Sequence, residues 1–179
     1  LPDLLRQVAT IYRDEPERVV HNGRALTEHL NAVSVPAGDE PRPEEFIAAA
    51  NRMPSAFDPG NGGLTGAPKF PNAAILNVLW RAGTSANQNA LLQPVQKTLQ
   101  QMARGGIHDH IGGGFARYSV DAEWLVPHFE KMLYDNAPLL ALYAEAAILT
   151  GAPRYRQVAE ETAAWVMREM QSPQGGYYS

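Results

Sequence analysis

The chain has 179 residues, 45% of them apolar, with a net charge of -4 and no cysteine. That length suits one domain with a sizeable core, and the apolar content is not that of a disordered chain. The charge offers no general attraction for nucleic acid or an anionic membrane, and no apolar run approaches the ~20 residues that span a bilayer. Without cysteine, disulfides, thiol redox chemistry and thiolate metal sites are excluded. No secretory signal is visible, so a cytoplasmic location is expected. The chain opens on Leu1 and closes on Gly176-Tyr177-Tyr178-Ser179, and both ends read as cut from something longer.

Leu4, Leu5, Val8, Ile11 and Tyr12 recur at helical spacing and predict a helix over 4–13, broken at Glu15-Pro16. Val19, Val20, Ala25, Leu26, Leu30 and Val33 predict a second helix over 17–33, with His21 and His29 as solvated helix histidines. Residues 36–43 are rich in turn formers and read as a connector. A short helix over 44–53 would turn Phe46, Ile47 and Ala50 inward and end at Pro54. Residues 58–71 form an irregular loop that resembles a phosphate cradle only in glycine content, since it lacks the Gly-Lys-Ser/Thr ending. Asn72 then reads as the N-cap of a helix carrying Ile75, Leu76, Leu79 and Trp80, closed by Gly83-Thr84-Ser85.

Leu91, Val95, Leu99 and Met102 form the stripe of a helix over about 87–104, with Pro94 inside it as a start or a kink. Pro127 is placed as a first-turn proline of a helix reaching Leu149, interrupted by Pro138. Residues 150–153 make a turn, and 154–170 a last helix with Val158, Thr162, Trp165 and Met170 along one side. Gly62-Gly63-Leu64, Gly113-Gly114-Phe115 and Gly175-Gly176-Tyr177 each put a bulky residue after paired glycines. Two helices fill each interval between them, as in a helix-pair repeat with its irregular loops on one side. The expected fold class is all-α, an array of helical hairpins.

Residues 105–136 hold three of the five histidines among carboxylates, aromatics and two glycine clusters. A mixed lining of this kind suits the wall of a pocket. The run Val126-Pro127-His128-Phe129-Glu130-Lys131-Met132-Leu133-Tyr134-Asp135-Asn136 carries the most specific signal in the chain. With the rest of 105–136, Gly66-Ala67-Pro68-Lys69-Phe70-Pro71 and the terminal Gly-Gly-Tyr-Tyr-Ser, it resembles the thioredoxin-domain-containing family of spermatogenesis-associated protein 20 and its bacterial relatives. Leu64-Thr65, Ala116 and Pro138 depart from the usual pattern of that family.

The resemblance implies a thioredoxin-like domain followed by an α/α toroid related to six-hairpin glycosidases and N-acylglucosamine 2-epimerases. Residues 1–44 would be a helical connector after the thioredoxin-like domain, and 45–179 the first hairpins of the toroid, a partial α/α toroid. The thioredoxin-like domain and the later hairpins would lie outside this chain. The function implied is that of a carbohydrate-active enzyme, epimerase or isomerase before hydrolase, of which this chain is an inactive piece. The alternative is a non-catalytic toroid that binds a ligand or protein for the thioredoxin domain.

In such a toroid, helices start from loops that rim the pocket, which would place His128 at a helix start with Lys131, Met132 and Asp135 on its face. A His beside a carboxylate suits proton abstraction from a sugar carbon, whereas two of Asp109, Asp121, Glu130 and Asp135 would suit glycoside cleavage. The catalytic candidates are His128, Asp135, Glu130 and Asp109. The substrate-binding candidates are His108, His110, Arg117, Tyr118, Asp121, Trp124 and Lys131. Asp135 and Asn136 read equally well as ties between the 105–126 loop and the helix, and Trp124 as core. His108-Asp109-His110 has the spacing of a two-imidazole metal site, but relatives in the toroid superfamily mostly work without metal; no metal and no cofactor are expected. A carbohydrate or other small molecule is the expected ligand. Self-association is expected through an apolar open edge near Trp80, Leu99, Leu142 and Trp165.

Overall fold

The computed structural model describes residues 1–33 and 42–178, and it forms two compact units, Leu1–Pro41 and Arg42–Ser179. Most of the expected connector over 36–43 lies outside the described residues.

The first unit is a pair of helices, α1 (Pro2–Asp14) and α2 (Pro16–Val33). Pro16 cannot donate a backbone hydrogen bond, so α1 ends at Glu15 and α2 starts afresh. The predicted apolar stripes are real, yet Leu4, Leu5, Val8, Tyr12, Val20, Leu26 and Leu30 are all exposed. His21 and His29 are exposed too.

The second unit begins with α3 (Pro43–Ala50), which buries Ala50 but leaves Phe46 38% exposed, contrary to its expected inward position. Two helical hairpins follow. The first is α4 (Ala73–Ser85) with α5 (Asn89–Arg104), and the second is α6 (Leu133–Thr150) with α7 (Pro153–Trp165). Gly151 takes a left-handed φ of 67° at the turn between α6 and α7, where an L side chain would be strained. Pro94 and Pro138 both sit inside their helices, without ending either one.

Leu76, Leu79 and Trp80 from α4 meet Leu91, Val95, Leu99 and Met102 from α5 in one core with Leu139, Leu142 and Tyr143 of α6 and Val158 of α7. Each such side chain contributes roughly 1.5–3 kcal/mol on burial. The two tyrosines that join this core keep their hydroxyls satisfied, Tyr143 donating to the Leu99 carbonyl at 2.7 Å and Tyr155 to that of Gln96 at 3.1 Å. Trp80, Leu99, Leu142 and Trp165 are at most 5% exposed, so none of them forms an open apolar edge. They were candidates for such an edge because a stripe shows that a face is covered, not what covers it.

Among the described residues there is no strand, only isolated antiparallel bridges, and no helix is long and apolar enough to cross a membrane. The fold is all-α. Long loops lie opposite the short hairpin turns and join one another: the Lys69 and Ser119 backbones exchange hydrogen bonds of 2.8 and 2.9 Å, and Arg168, just after α7, donates to the Gly112 carbonyl at 2.7 Å. Asn72 does precede α4, but with φ 49° and ψ 48° its side chain turns back to the Phe70 carbonyl and caps nothing.

Candidate functional site

The 105–132 loop is built as a stack of short antiparallel pairings. Ile107 N–H donates to the Trp124 carbonyl, Ala116 N–H to Ile107, Arg117 N–H to Glu130 and His128 N–H to Tyr118, at 2.7 to 3.1 Å. Pro127 is therefore not a helix start: it sits in a bridge with Ser119, and α6 begins six residues later at Leu133. The His128 amide is drawn away from helix by the Tyr118 carbonyl, ten residues upstream, and the Glu130 carbonyl by the Arg117 amide, thirteen residues upstream. As a result His128, Lys131 and Asp135 do not share a helix face.

Instead, residues 127–131 alternate between two sides of the loop. Glu130 N–H bonds back to the His128 carbonyl at 2.8 Å, a three-residue turn that throws Phe129 outward, 90% exposed. Pro127, Phe129 and Lys131 line a hollow of about 320 Å³ with Ile107, His108, Asp109, His110 and Ile111. His128 and Glu130 belong to a separate ledge.

In the hollow, Asp109 accepts from Lys131 Nζ at 2.6 Å and from the amides of Ile111 and Gly112 at 2.9 and 2.8 Å. The Gly112 amide first, then Lys131, hold its carboxyl far below the usual range. A carboxylate so fully engaged is a structural tie, which removes Asp109 from the catalytic candidates. Lys131 also donates to the Gly113 carbonyl at 2.7 Å. His110 Nε2 lies 3.0 Å from the Gly105 carbonyl, and its Nδ1 is 3.4 Å from Arg154. His108 is 1% exposed and neither ring nitrogen has a hydrogen bond; Nε2 stands 3.4 Å from Glu161 Oε2 without hydrogen-bond alignment. Burial first, then His110, lowers its pKa to about 4.

On the ledge, Arg117 donates to Glu130 Oε2 at 3.1 Å, and the same oxygen lies 3.8 Å from His128 Nε2. The His128 ring stacks on Tyr118 at 4.6 Å and 7°, and Tyr118 in turn meets Phe70 at 4.8 Å with the rings tilted by 34°. Stacking fixes the imidazole while 47% of its side chain stays exposed, and among the described residues neither nitrogen has a hydrogen bond. Arg117 also lies 5.9 Å over the Tyr134 ring. Asp135 is half-buried, its Oδ2 sealed without a partner; burial raises its pKa against the pull of Arg117, and Glu130 adds to the rise. The expected tie between loop and α6 is made by Asn136, through two buried hydrogen bonds to the Phe115 backbone, with a third, part-buried, to the Met132 carbonyl.

Asp121 and Trp124 leave the candidate site. Asp121 accepts from the amides of Glu123, Leu125 and Val126 and so folds the tip of the loop; burial opposes ionisation there, yet these bonds bring its pKa down to about 2. Trp124 is fully buried and donates from Nε1 to the Asn61 carbonyl at 2.8 Å, leaving no ring face for a sugar. Sequence reasoning missed Lys69, whose fully buried ammonium binds Asp58 at 2.8 Å and the Gly62 carbonyl at 2.9 Å. It also missed Phe70 and Tyr134 on the ledge and Glu161 behind His108. A lysine between Pro68 and Phe70 was the one available signal. Among the described residues, no three His, Asp or Glu side chains converge as a metal site would need.

No family model matches the chain. Its homologues include spermatogenesis-associated protein 20. The chain is 36% identical to the protein of that name from Homo sapiens and 35% identical to that from Rattus norvegicus, each over 98% of its own length. It is 42% identical, over 83% of its length, to an uncharacterised protein of Caenorhabditis elegans. It spans 24%, 23% and 21% of those three relatives. The two relationships over 98% of the chain take in the helical pair as well as the ledge and the hollow.

Proposed function

We propose that the chain is part of a sugar-processing α/α toroid within a longer cytoplasmic protein that also carries a thioredoxin-like domain, and that the ledge is where its chemistry takes place. In this reading the hairpins α4–α5 and α6–α7 are the first of the toroid. One observation carries the assignment of the ledge. His128 is fixed by the stack on Tyr118, is half-exposed, has both ring nitrogens free of hydrogen bonds among the described residues, and stands 3.8 Å from the carboxylate of Glu130. A positioned imidazole beside a carboxylate is suited to take a proton from a carbon next to a carbonyl and to return it on the other face or to the neighbouring carbon. Glu130 stabilises the imidazolium that forms, and Arg117 holds Glu130 in place. Asp135, biased by burial toward its neutral acid, serves as the proton donor to the carbonyl oxygen. Epimerisation or isomerisation is preferred to glycoside cleavage because an imidazole stands half-exposed on the ledge, while Asp109 and Asp121 are committed to Lys131 and backbone amides and Glu130 is held by Arg117.

The test is deuterium exchange. The full-length protein is incubated in D2O with a panel of aldoses and N-acylhexosamines, and proton NMR follows wash-in at the carbon beside the carbonyl. Exchange should occur with at least one sugar and fall ~100-fold or more in His128→Ala. His128→Ala should keep its melting temperature within a few degrees. Ligand binding without exchange would favour the non-catalytic toroid, and exchange that survives His128→Ala would remove His128 from the mechanism.

A further inference from the structure

The hollow on the other side of residues 127–131 has a character of its own. Its polar side chains are largely engaged within its wall. Asp109 is engaged by Lys131 and two amides, Lys131 gives two of its three N–H groups to Asp109 and the Gly113 carbonyl and lies 5.3 Å from the Trp165 ring, and His110 is engaged by the Gly105 carbonyl and Arg154. The two opposite charges of Asp109 and Lys131 cancel at 2.6 Å. The nitrogens of His108 are sealed from solvent, so this ring offers only its carbon edge and π face. A charged or hydroxyl-rich occupant would surrender its hydration and find few side-chain partners in return, since Asp109, Lys131 and His110 already bond within the wall.

What the hollow does offer is rings and aliphatic surface. His108 and His110 meet edge to face at 4.8 Å, Ile107 lies fully buried behind them, and Phe129 and Ile111 stand at the mouth 90% and 101% exposed. Two large apolar side chains so exposed along one concavity mark a surface that gains by being covered. A volume of about 320 Å³ is at the small end of ligand pockets. Aromatic walls favour an aromatic guest in stacked or edge-on contact.

We propose that this hollow binds a small molecule through a single uncharged aromatic ring. The proposal is independent of the chemistry assigned to His128, which faces away from the hollow.

Ligand-observed NMR on the 179-residue chain tests it, with p-cresol, benzoate and glucose as probes. Saturation transfer should reach p-cresol, benzoate should bind at least tenfold more weakly, and glucose should show none. Phe129→Ser and, separately, Ile111→Ser should each weaken p-cresol at least fivefold. Both side chains are exposed, so a thermal melt should report folded variants, and either substitution alone suffices if the other disturbs folding. No transfer to p-cresol, equal binding of benzoate or glucose, or unchanged binding in a folded variant would overturn the proposal. So would capture of a phenylalanine-bearing peptide by a chain that ignores free p-cresol, since the hollow would then be a protein dock.

Discussion

Asn136 grips the backbone of Phe115 from both sides, its Oδ1 accepting the Phe115 N–H at 2.7 Å and its Nδ2 donating to the Phe115 carbonyl at 2.9 Å. A third bond runs from Nδ2 to the Met132 carbonyl at 3.0 Å, and the whole residue is buried. One amide side chain thus joins the glycine loop, the ledge segment and the first turn of α6.

Removing that grip leaves a buried N–H and a buried carbonyl unmet, each costing roughly 1–3 kcal/mol. Asn136→Ala should therefore lower stability by about 3 kcal/mol in urea denaturation. Its neighbour is the contrast. Asp135 has no partner on Oδ2, so Asp135→Asn should change stability by less than about 1 kcal/mol. Equal losses in the two variants would mean that the loop is tied through both residues.

His108 should make stability depend on pH. Its pKa is about 4 in the folded chain against an ordinary 6.5, first because of burial. The unfolded chain therefore takes up a proton that the folded chain refuses. The contribution is fully present above about pH 6.5 and is lost as pH falls toward 4, by up to about 3 kcal/mol. The loss, read as the difference between wild type and His108→Leu over that range, should vanish if the ring finds a proton-stabilising partner in the folded state. Parallel pH profiles for the two proteins would refute it.

Two glycines with similar backbone angles should respond unequally to alanine. Gly113 has φ 79°, and a methyl there would press into the Glu161 carbonyl of α7. Gly151 has φ 67° with open space around it. Gly151→Ala should cost only the conformational term of about 1–2 kcal/mol. Gly113→Ala adds a backbone clash and should cost about 3 kcal/mol or more. Thermal melts of both variants decide it, and similar shifts would show that the loop can lift from α7 at little cost.

The helices were legible because their evidence is local. Leu91, Val95, Leu99 and Met102 repeat at one period, and Pro16 and Gly151 interrupt where the chain breaks. Residues 127–132 were misread for the complementary reason. Pro127 suits the first turn of a helix as well as it suits an isolated bridge, and His-Phe-Glu-Lys-Met is compatible with helix. Its conformation is decided by the Tyr118 carbonyl and the Arg117 N–H, which no local pattern announces. The same holds for the candidate site. Its residue types could not show that Asp109 and Asp121 are loop-forming carboxylates, because their amide partners lie in the loop they fold. Lys69 is buried because Asp58 and the Gly62 carbonyl wait for it across a loop.

The alternation along 127–131 gives this segment a parity. Losing one residue between Val126 and Met132 would exchange the two populations, swinging an imidazole and a carboxylate into the hollow and an exposed phenyl ring onto the ledge. Losing two would shorten the segment yet return each kind of side chain to its own side. Length variation here is therefore tolerable only in even steps, a rule that homologous chains can obey or break in plain view of their sequences.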